Sequence, residues 1–280
     1  MPELPEVETT RNGLAPHLIG ARINKILLRR PNLRWPIPVE IQTLNGQVIT
    51  AITRRAKYLL MHTQAGSALW HLGMSGSLRV LDADVQPREH DHVDWQLDSG
   101  KILRFYDPRR FGCLMFQAPD TMHPLLAALG PEPLTELSSE HASPNLPEFT
   151  ADYLYERSRG RSQVVKSFLM DQATVVGVGN IYVAESLFQA RVKPQRAAGS
   201  LNRSECTRLV NAIQGILRHA IARGGTTLRD FINPDGAPGY FEQELFVYGR
   251  EGEPCKVCGQ PIKAAKLGPR QSLYCGKCQR

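Results

Sequence analysis

The spacing of apolar positions changes character once along this 280-residue chain. Between residues 20 and 116 the apolar residues alternate or form short β-branched blocks. Ala21-Arg22-Ile23-Asn24-Lys25-Ile26 alternates, and Val48-Ile49-Thr50-Ala51-Ile52 is a β-branched run. Ala68-Leu69-Trp70-His71-Leu72, Val93-Asp94-Trp95-Gln96-Leu97 and Ile102-Leu103-Arg104-Phe105 continue the pattern. Many short strands with no helix between them predict a sandwich or barrel. Asp98-Ser99-Gly100-Lys101 has the composition of a hairpin turn between the last two runs. Ahead of the strands, Val7, Leu14 and Leu18 share a face of a helix predicted over residues 5–18. Pro5 suits its first turn, and Glu6 and Glu8 complement the positive end of its dipole.

From Gly130-Pro131-Glu132-Pro133 to Pro147 the chain is rich in Pro, Ser and Glu, which predicts a linker. The period is helical beyond it. Thr150 can cap a helix running to about Arg159, and Ser162 one running to Asp171. Ile181, Ala184, Leu187 and Phe188 fall on one helical face. The strongest helical signal covers residues 203–223. There Asn202 and Glu205 have capping-box spacing, and Leu209, Val210, Ile213, Ile216, Leu217, Ala220 and Ile221 recur at three and four residues. Gly224-Gly225 ends it. The pattern predicts an α+β multidomain chain: a β domain, sandwich or barrel, over residues 1–130, a linker over 131–148, a helical domain over 149–234 and a C-terminal domain over 235–280.

Charge narrows the partners. The net charge is +7 and the pI about 9.2, which suits a polyanion, nucleic acid before membrane. Arg29-Arg30, Arg54-Arg55-Lys57, Arg109-Arg110 and Arg157, Arg159, Arg161 are interleaved with folded-looking sequence, as in a groove lined from several elements. No apolar run is long enough for a transmembrane helix. The N-terminal residues carry acids, not a basic and then apolar leader. A cytoplasmic monomer is the expectation.

Four of the six cysteines lie in the last 26 residues, as Cys255-x-x-Cys258 and Cys275-x-x-Cys278. Two such pairs can close a tetrahedral zinc site, and four thiolates leave no open position, so one structural Zn2+ is expected. The stretch Glu251–Arg280 carries six basic and two acidic side chains. Its spacing suits a nucleic-acid clamp or a protein-binding knuckle. Cys113 and Cys206, in apolar contexts, read as buried free thiols. Val175-Val176-Gly177-Val178-Gly179-Asn180 places glycines before a helix, where backbone N–H groups can hold a phosphate. At the other end, removal of Met1 would leave Pro2 with a free secondary amine. An α-amino group has a pKa near 8, against about 10.4 for lysine, so part of it is uncharged and nucleophilic at neutral pH. Glu3 is a proton donor or acceptor beside it. On the dipeptide alone, an ordinary Met-Pro start is the favoured reading.

Several blocks resemble one family in order along nearly the whole chain. They are Pro2-Glu3-Leu4-Pro5-Glu6-Val7-Glu8-Thr9, Arg54-Arg55-Ala56-Lys57-Tyr58-Leu59, His71-Leu72-Gly73-Met74-Ser75-Gly76 and Asp107-Pro108-Arg109-Arg110-Phe111-Gly112. Gly177-Val178-Gly179-Asn180-Ile181-Tyr182, Pro238-Gly239-Tyr240-Phe241 and the four cysteines complete them. The chain is similar to the bacterial formamidopyrimidine-DNA glycosylases. The resemblance implies an N-terminal β-sandwich with flanking helices, a helix-two-turn-helix domain and a four-cysteine zinc finger over about residues 246–280. It implies excision of oxidised purines from double-stranded DNA, followed by nicking through β,δ-elimination. It assigns catalysis to Pro2, Glu3, Lys57 and Arg270, with Lys57 and Arg270 alternatively acting as phosphate contacts. It assigns DNA binding to His90, Arg109, Arg161, Asn180 and Tyr240. Met74, Arg109 and Phe111 would fill the gap left by the extruded base, and Glu6, Thr226 and Thr227 would line the lesion pocket. Without the resemblance, Met74 and Phe111 read as core. Endonuclease VIII, the sister enzyme for oxidised pyrimidines, typically has glycine where Leu4 stands and lacks the Met/Arg/Phe set. A non-catalytic zinc-finger DNA-binding protein would not need Pro2, Glu3 and Lys57, and an N-terminal-proline tautomerase would not need a basic finger.

Overall fold

The computed structural model describes residues 1–137, 146–225, 244–268 and 270–280. The chain forms two compact units. The first is built on Met1–Ala127 and takes in residues 223–225; the second holds the described residues of 128–222 and 241–280.

In the first unit, α1 (Leu4–Leu18) precedes eight strands: β1 (Ile23–Leu28), β2 (Ala51–Arg55), β3 (Tyr58–Thr63), β4 (Gly66–His71), β5 (Ser77–Asp82), β6 (Asp91–Leu97), β7 (Lys101–Tyr106) and β8 (Cys113–Gln117). They pair antiparallel in two four-stranded sheets, β1-β6-β7-β5 and β2-β3-β4-β8. The sheets are joined by aromatics. Trp70 of β4 lies 5.7 Å from Trp95 of β6 and 5.2 Å from Phe105 of β7, ring centre to ring centre. All three are fully buried, and each such side chain contributes about 1.5–3 kcal/mol by leaving water. The inward residues of the predicted alternation thus form the sandwich core. The β6–β7 hairpin turns at Gly100, whose φ of +76° suits glycine. A short helix, α2 (Pro124–Ala127), closes the unit.

In the second unit, α3 (Ala151–Ser158) is capped by Thr150, whose side chain accepts the Tyr153 N–H at 3.1 Å. The expected start of the next helix at Ser162 is corrected: α4 runs Val165–Met170 with Val164 as its N-cap. Residues 163–165 pair with the backbone of 196–198 instead, Val165 N–H donating to Arg196 O and Ala198 N–H to Gln163 O. Those bonds hold Val164 extended and delay the helix. α5 (Asn180–Gln189) and α6 (Arg203–Ala222) come next. At α6 the capping box is reciprocal: Asn202 N–H donates to Glu205 Oε2 at 3.0 Å and Glu205 N–H to Asn202 Oδ1 at 2.9 Å. The Pro-rich start of the predicted linker is packed rather than free. Residues 130–134 are buried, with Gly130 N–H donating to Gln172 O and Val176 N–H to Pro131 O.

The C-terminal finger belongs to this same unit. Its hairpin pairs β9 (Lys263–Leu267) with β10 (Arg270–Tyr274). The buried Lys166 amine of α4 donates to Gln271 O at 2.8 Å and to Ser272 Oγ at 2.7 Å. Glu185 of α5 accepts three backbone N–H groups, from Phe246, Val247 and Tyr248, at 2.8–2.9 Å. Gln279 bonds Cys275 N–H and Val192 O. No described helix is long and apolar enough to cross a membrane.

Candidate active site and zinc centre

The N-terminal segment is ordered by its own acids. Glu3 is the N-cap of α1 and its N–H donates to Glu6 Oε2 at 2.8 Å, one side of a capping box. Both carboxylates are at most 2% exposed. Gly225 (φ +79°) lies against Glu6: a Cβ there would sit 3.0 Å from Glu6 Oε1. Pro2 is buried behind a half-buried Met1. Met1 lines a cavity of about 640 Å³ whose wall also includes Arg34, His71, Met74, Arg109 and Phe111.

Lys57, only 6% exposed, sits in the two-residue turn between β2 and β3, where Arg55 pairs with Tyr58. The turn forces Ala56 to a φ of +54°, an unfavourable value for a residue with a Cβ. Arg54 stabilises it. Its Nη1 donates to Ala56 O at 2.9 Å, and its Nε donates to Glu8 Oε2 at 2.9 Å. Glu8, expected to complement the helix dipole, is instead buried against this guanidinium, with Arg11 on its other oxygen. The pair ties the helix that begins beside Pro2 and Glu3 to the turn that carries Lys57. Deleting Arg54 would break this tie while leaving Arg11 on the other oxygen of Glu8.

His71 ends β4 and accepts the Gly73 N–H on Nδ1 at 2.9 Å. Burial, then the charges of Lys57 and Arg34, push its pKa down from 6.5 to about 4. It is a neutral imidazole that donates only through Nε2. Its folded pKa lies below the unfolded one, so its contribution to stability is complete above about pH 6.5 and is lost as pH falls toward 4. We expect the His71 ring resonances to titrate with a midpoint near 4; an NMR midpoint near 6.5 would contradict this environment. Sequence reasoning assigned roles to neither His71 nor Arg34. Neither carries a sequence pattern that marks this placement; Arg34 stacks on its neighbour Trp35 at 4.5 Å.

Met74 and Phe111 are 36% and 46% exposed, against their reading as core. The Arg109 guanidinium lies 5.1 Å from the centre of the Phe111 ring. His90 is half-buried beside Tyr106, 6.0 Å ring to ring. The first unit thus brings Pro2, Glu3, Glu6, Lys57, Met74, His90, Arg109 and Phe111 into one body. In the second unit, Asn180 opens α5 after the Gly177–Gly179 turn, and its buried Oδ1 has no hydrogen-bond partner among the described residues. Arg161 and Arg270 are exposed. Thr226, Thr227 and Tyr240 lie outside the described residues.

The four cysteine sulfurs lie within 4.8 Å of one another, with Cys255–Cys278 at 3.9 Å and Cys258–Cys275 at 3.5 Å. A tetrahedron of zinc–sulfur bonds of about 2.3 Å has edges of about 3.8 Å, so the donor set fits one structural zinc. Cys113 and Cys206 are buried free thiols, pushed up by burial to about 12 and about 11, and are protonated at neutral pH.

Three family models match in succession: the formamidopyrimidine-DNA glycosylase N-terminal domain over residues 1–114, the H2TH domain of the same enzymes over 129–232, and a zinc finger found in FPG and IleRS over 252–280. Sandwich, helical domain and finger in that order define a multidomain DNA glycosylase. Curated formamidopyrimidine-DNA glycosylases from Xanthomonas axonopodis pv. citri and Stenotrophomonas maltophilia are each 61% identical over 100% of both chains. The MutM (FPG) protein of Thermus thermophilus superposes with a TM-score of 0.85 at 37% identity, over 99% of this chain and 98% of that one. A Lactococcus lactis FPG variant in complex with Fapy-dG-containing DNA reaches 0.90 at 31% identity, over 100% of both. The chain belongs to the formamidopyrimidine-DNA glycosylase family, enzymes of base-excision DNA repair with glycosylase and AP lyase activities.

Proposed function

We propose that this chain removes 8-oxoguanine and formamidopyrimidines from duplex DNA through the Pro2 amine and then nicks the strand at the abasic site. The observation that carries the reading is the placement of Met1 on the cavity wall beside His71, Met74, Arg109 and Phe111. Once Met1 is removed, the Pro2 nitrogen attacks C1′ of the damaged nucleotide. The bond from C1′ to the base breaks, and the base leaves with the electron pair. The adduct nitrogen gives up its one N–H proton to the departing base, Glu3 protonates the sugar-ring oxygen, and the nitrogen lone pair opens the ring to form an iminium. A secondary amine has no second N–H proton to lose, so that cation persists as an electron sink. It acidifies the C2′ proton, whose loss expels the 3′ phosphate; a second elimination expels the 5′ phosphate. Lys57 and Arg270 assist by proton transfer or by holding phosphate. Arginine stays protonated, which favours the phosphate role for Arg270.

The duplex is opened by extrusion of the lesion. Met74 and Phe111 wedge the stack while Arg109 bonds the orphaned cytosine. His90, Arg161, Asn180 and Tyr240 hold the backbone, and Glu6, Thr226 and Thr227 line the lesion pocket. The zinc organises the finger and takes no part in the chemistry. The protein acts as a monomer in the bacterial cytoplasm, at the nucleoid.

Single-turnover excision from duplexes carrying 8-oxoguanine opposite cytosine or thymine glycol opposite adenine tests the substrate class. Faster release of 8-oxoguanine is expected. Preference for thymine glycol would transfer the chain to the endonuclease VIII reading.

A further inference from the structure

Asp107 lies just past β7, is 0% exposed, and touches three segments that carry the proposed DNA contacts. Its N–H donates to His90 O at 3.0 Å, and its carbonyl accepts from His92 Nε2 at 2.9 Å. Its carboxylate is divided. Oδ1 accepts the Ser75 hydroxyl at 3.0 Å, one residue from Met74, and Oδ2 accepts the Gly112 N–H at 2.8 Å, one residue from Phe111. The two loops meet backbone to backbone. A Cβ on Gly73 would come within 2.4 Å of Gly112 N and Phe111 C, and a Cβ on Gly112 within 2.7 Å of His71 O and 3.0 Å of Asp107 Oδ2. Arg110, with a φ of +56° and its N–H on Asp107 O at 3.3 Å, closes the second loop tightly.

We propose that Asp107 is the positioning residue that makes Met74, Arg109 and Phe111 a single preorganised wedge. The inference rests on the gap-filling reading of those three side chains. Wedge residues sit on exposed loops and must resist the restacking of the duplex, so they need support from beneath. Asp107 is too deeply buried to touch DNA, and its two carboxylate oxygens grip one loop each. The wedge is needed only where a base must be drawn out of a stack. The arrangement therefore predicts a loss confined to duplex substrates, with weaker preference for cytosine over adenine opposite the lesion because Arg109 is no longer aimed.

The test compares Asp107→Ala, Asp107→Asn and Ser75→Ala on two substrates: an 8-oxoguanine:cytosine duplex, and a single-stranded oligonucleotide holding a preformed abasic site. Asp107→Ala should slow duplex excision at least about tenfold more than abasic cleavage and reduce the cytosine-over-adenine ratio. Asp107→Asn should stay within about threefold of the parent, because its amide oxygen accepts from Gly112 N–H while its amide N–H donates to Ser75 Oγ. Equal loss on both substrates, or an Asn variant as slow as the Ala variant, would overturn the proposal. If Asp107→Ala does not fold, Ser75→Ala decides: a smaller but still duplex-selective loss supports the proposal, and parental or uniformly reduced rates refute it. Met74→Ala and Phe111→Ala, run in parallel, test the gap-filling reading separately; parental duplex excision by both would remove that reading itself.

Discussion

Replacing Pro2 by glycine is expected to leave binding to damaged duplex unchanged while reducing strand cleavage by at least about a thousandfold. The two amines give different adducts at C1′. A glycine amine is primary, so its adduct can lose a proton and become a neutral imine that draws electrons weakly. The proline adduct stays cationic until elimination is over. The surroundings should survive the change. Glu3 remains N-cap of α1, Glu6 still accepts the Glu3 N–H, and the Glu8–Arg54 pair lies a full turn further on. Binding by fluorescence anisotropy and cleavage under single-turnover conditions separate the two effects. An uncleaved N-terminal extension should be equally inactive, since it converts the Pro2 nitrogen to an amide. Cleavage by either form at the parental rate would place the nucleophile elsewhere.

Removing the zinc should have the second large effect. The finger cannot build its own core. Among the described residues, Val247, Cys255, Ile262, Leu273 and Cys275 are its buried apolar ones, and they share a cluster with Ala184 and Phe188 of α5. So few apolar groups do not offset the ordering of some thirty residues, and structural zinc binding is worth about 10–16 kcal/mol at neutral pH. Chelation, or Cys258→Ser, should release one zinc per chain and unfold the finger. The β-sandwich has a separate core and should retain its own thermal transition. DNA affinity should fall steeply with the loss of the finger's basic residues, and the salt dependence should flatten by about 0.9 for each phosphate no longer neutralised. Metal content by mass spectrometry, calorimetry and a salt titration of binding check each part. A zinc-free protein with parental affinity would contradict the clamp.

Local signals explain the features that were legible in the chain. Asn202 and Glu205 lie three residues apart, and both capping bonds form. The cysteine pairs are set by spacing, and the hairpin at Gly100 by its turn residues. Features that depend on distant partners were misread or unseen. Ser162 is a competent cap, but the backbone of 196–198 claims the segment just after it. Residues 130–134 have a linker's composition, yet residues 172–176 bury them. Glu8 looks like a dipole residue until Arg54, from β2, meets it in the interior. Met74 and Phe111 read as core from composition alone and as gap-fillers only through the resemblance; the glycines at 73 and 112 bring their loops together and both side chains are exposed. Asp107 and His71 carry no sequence signature of the groups they touch.

The most direct measurement is chemical trapping. The protein, with Met1 removed, is incubated with a duplex containing 8-oxoguanine opposite cytosine in the presence of borohydride, digested, and the cross-linked peptide identified by mass spectrometry. The account predicts a reduced adduct on the nitrogen of Pro2. An adduct on Lys57 or another lysine, or none from zinc-loaded protein that binds the duplex, would contradict it.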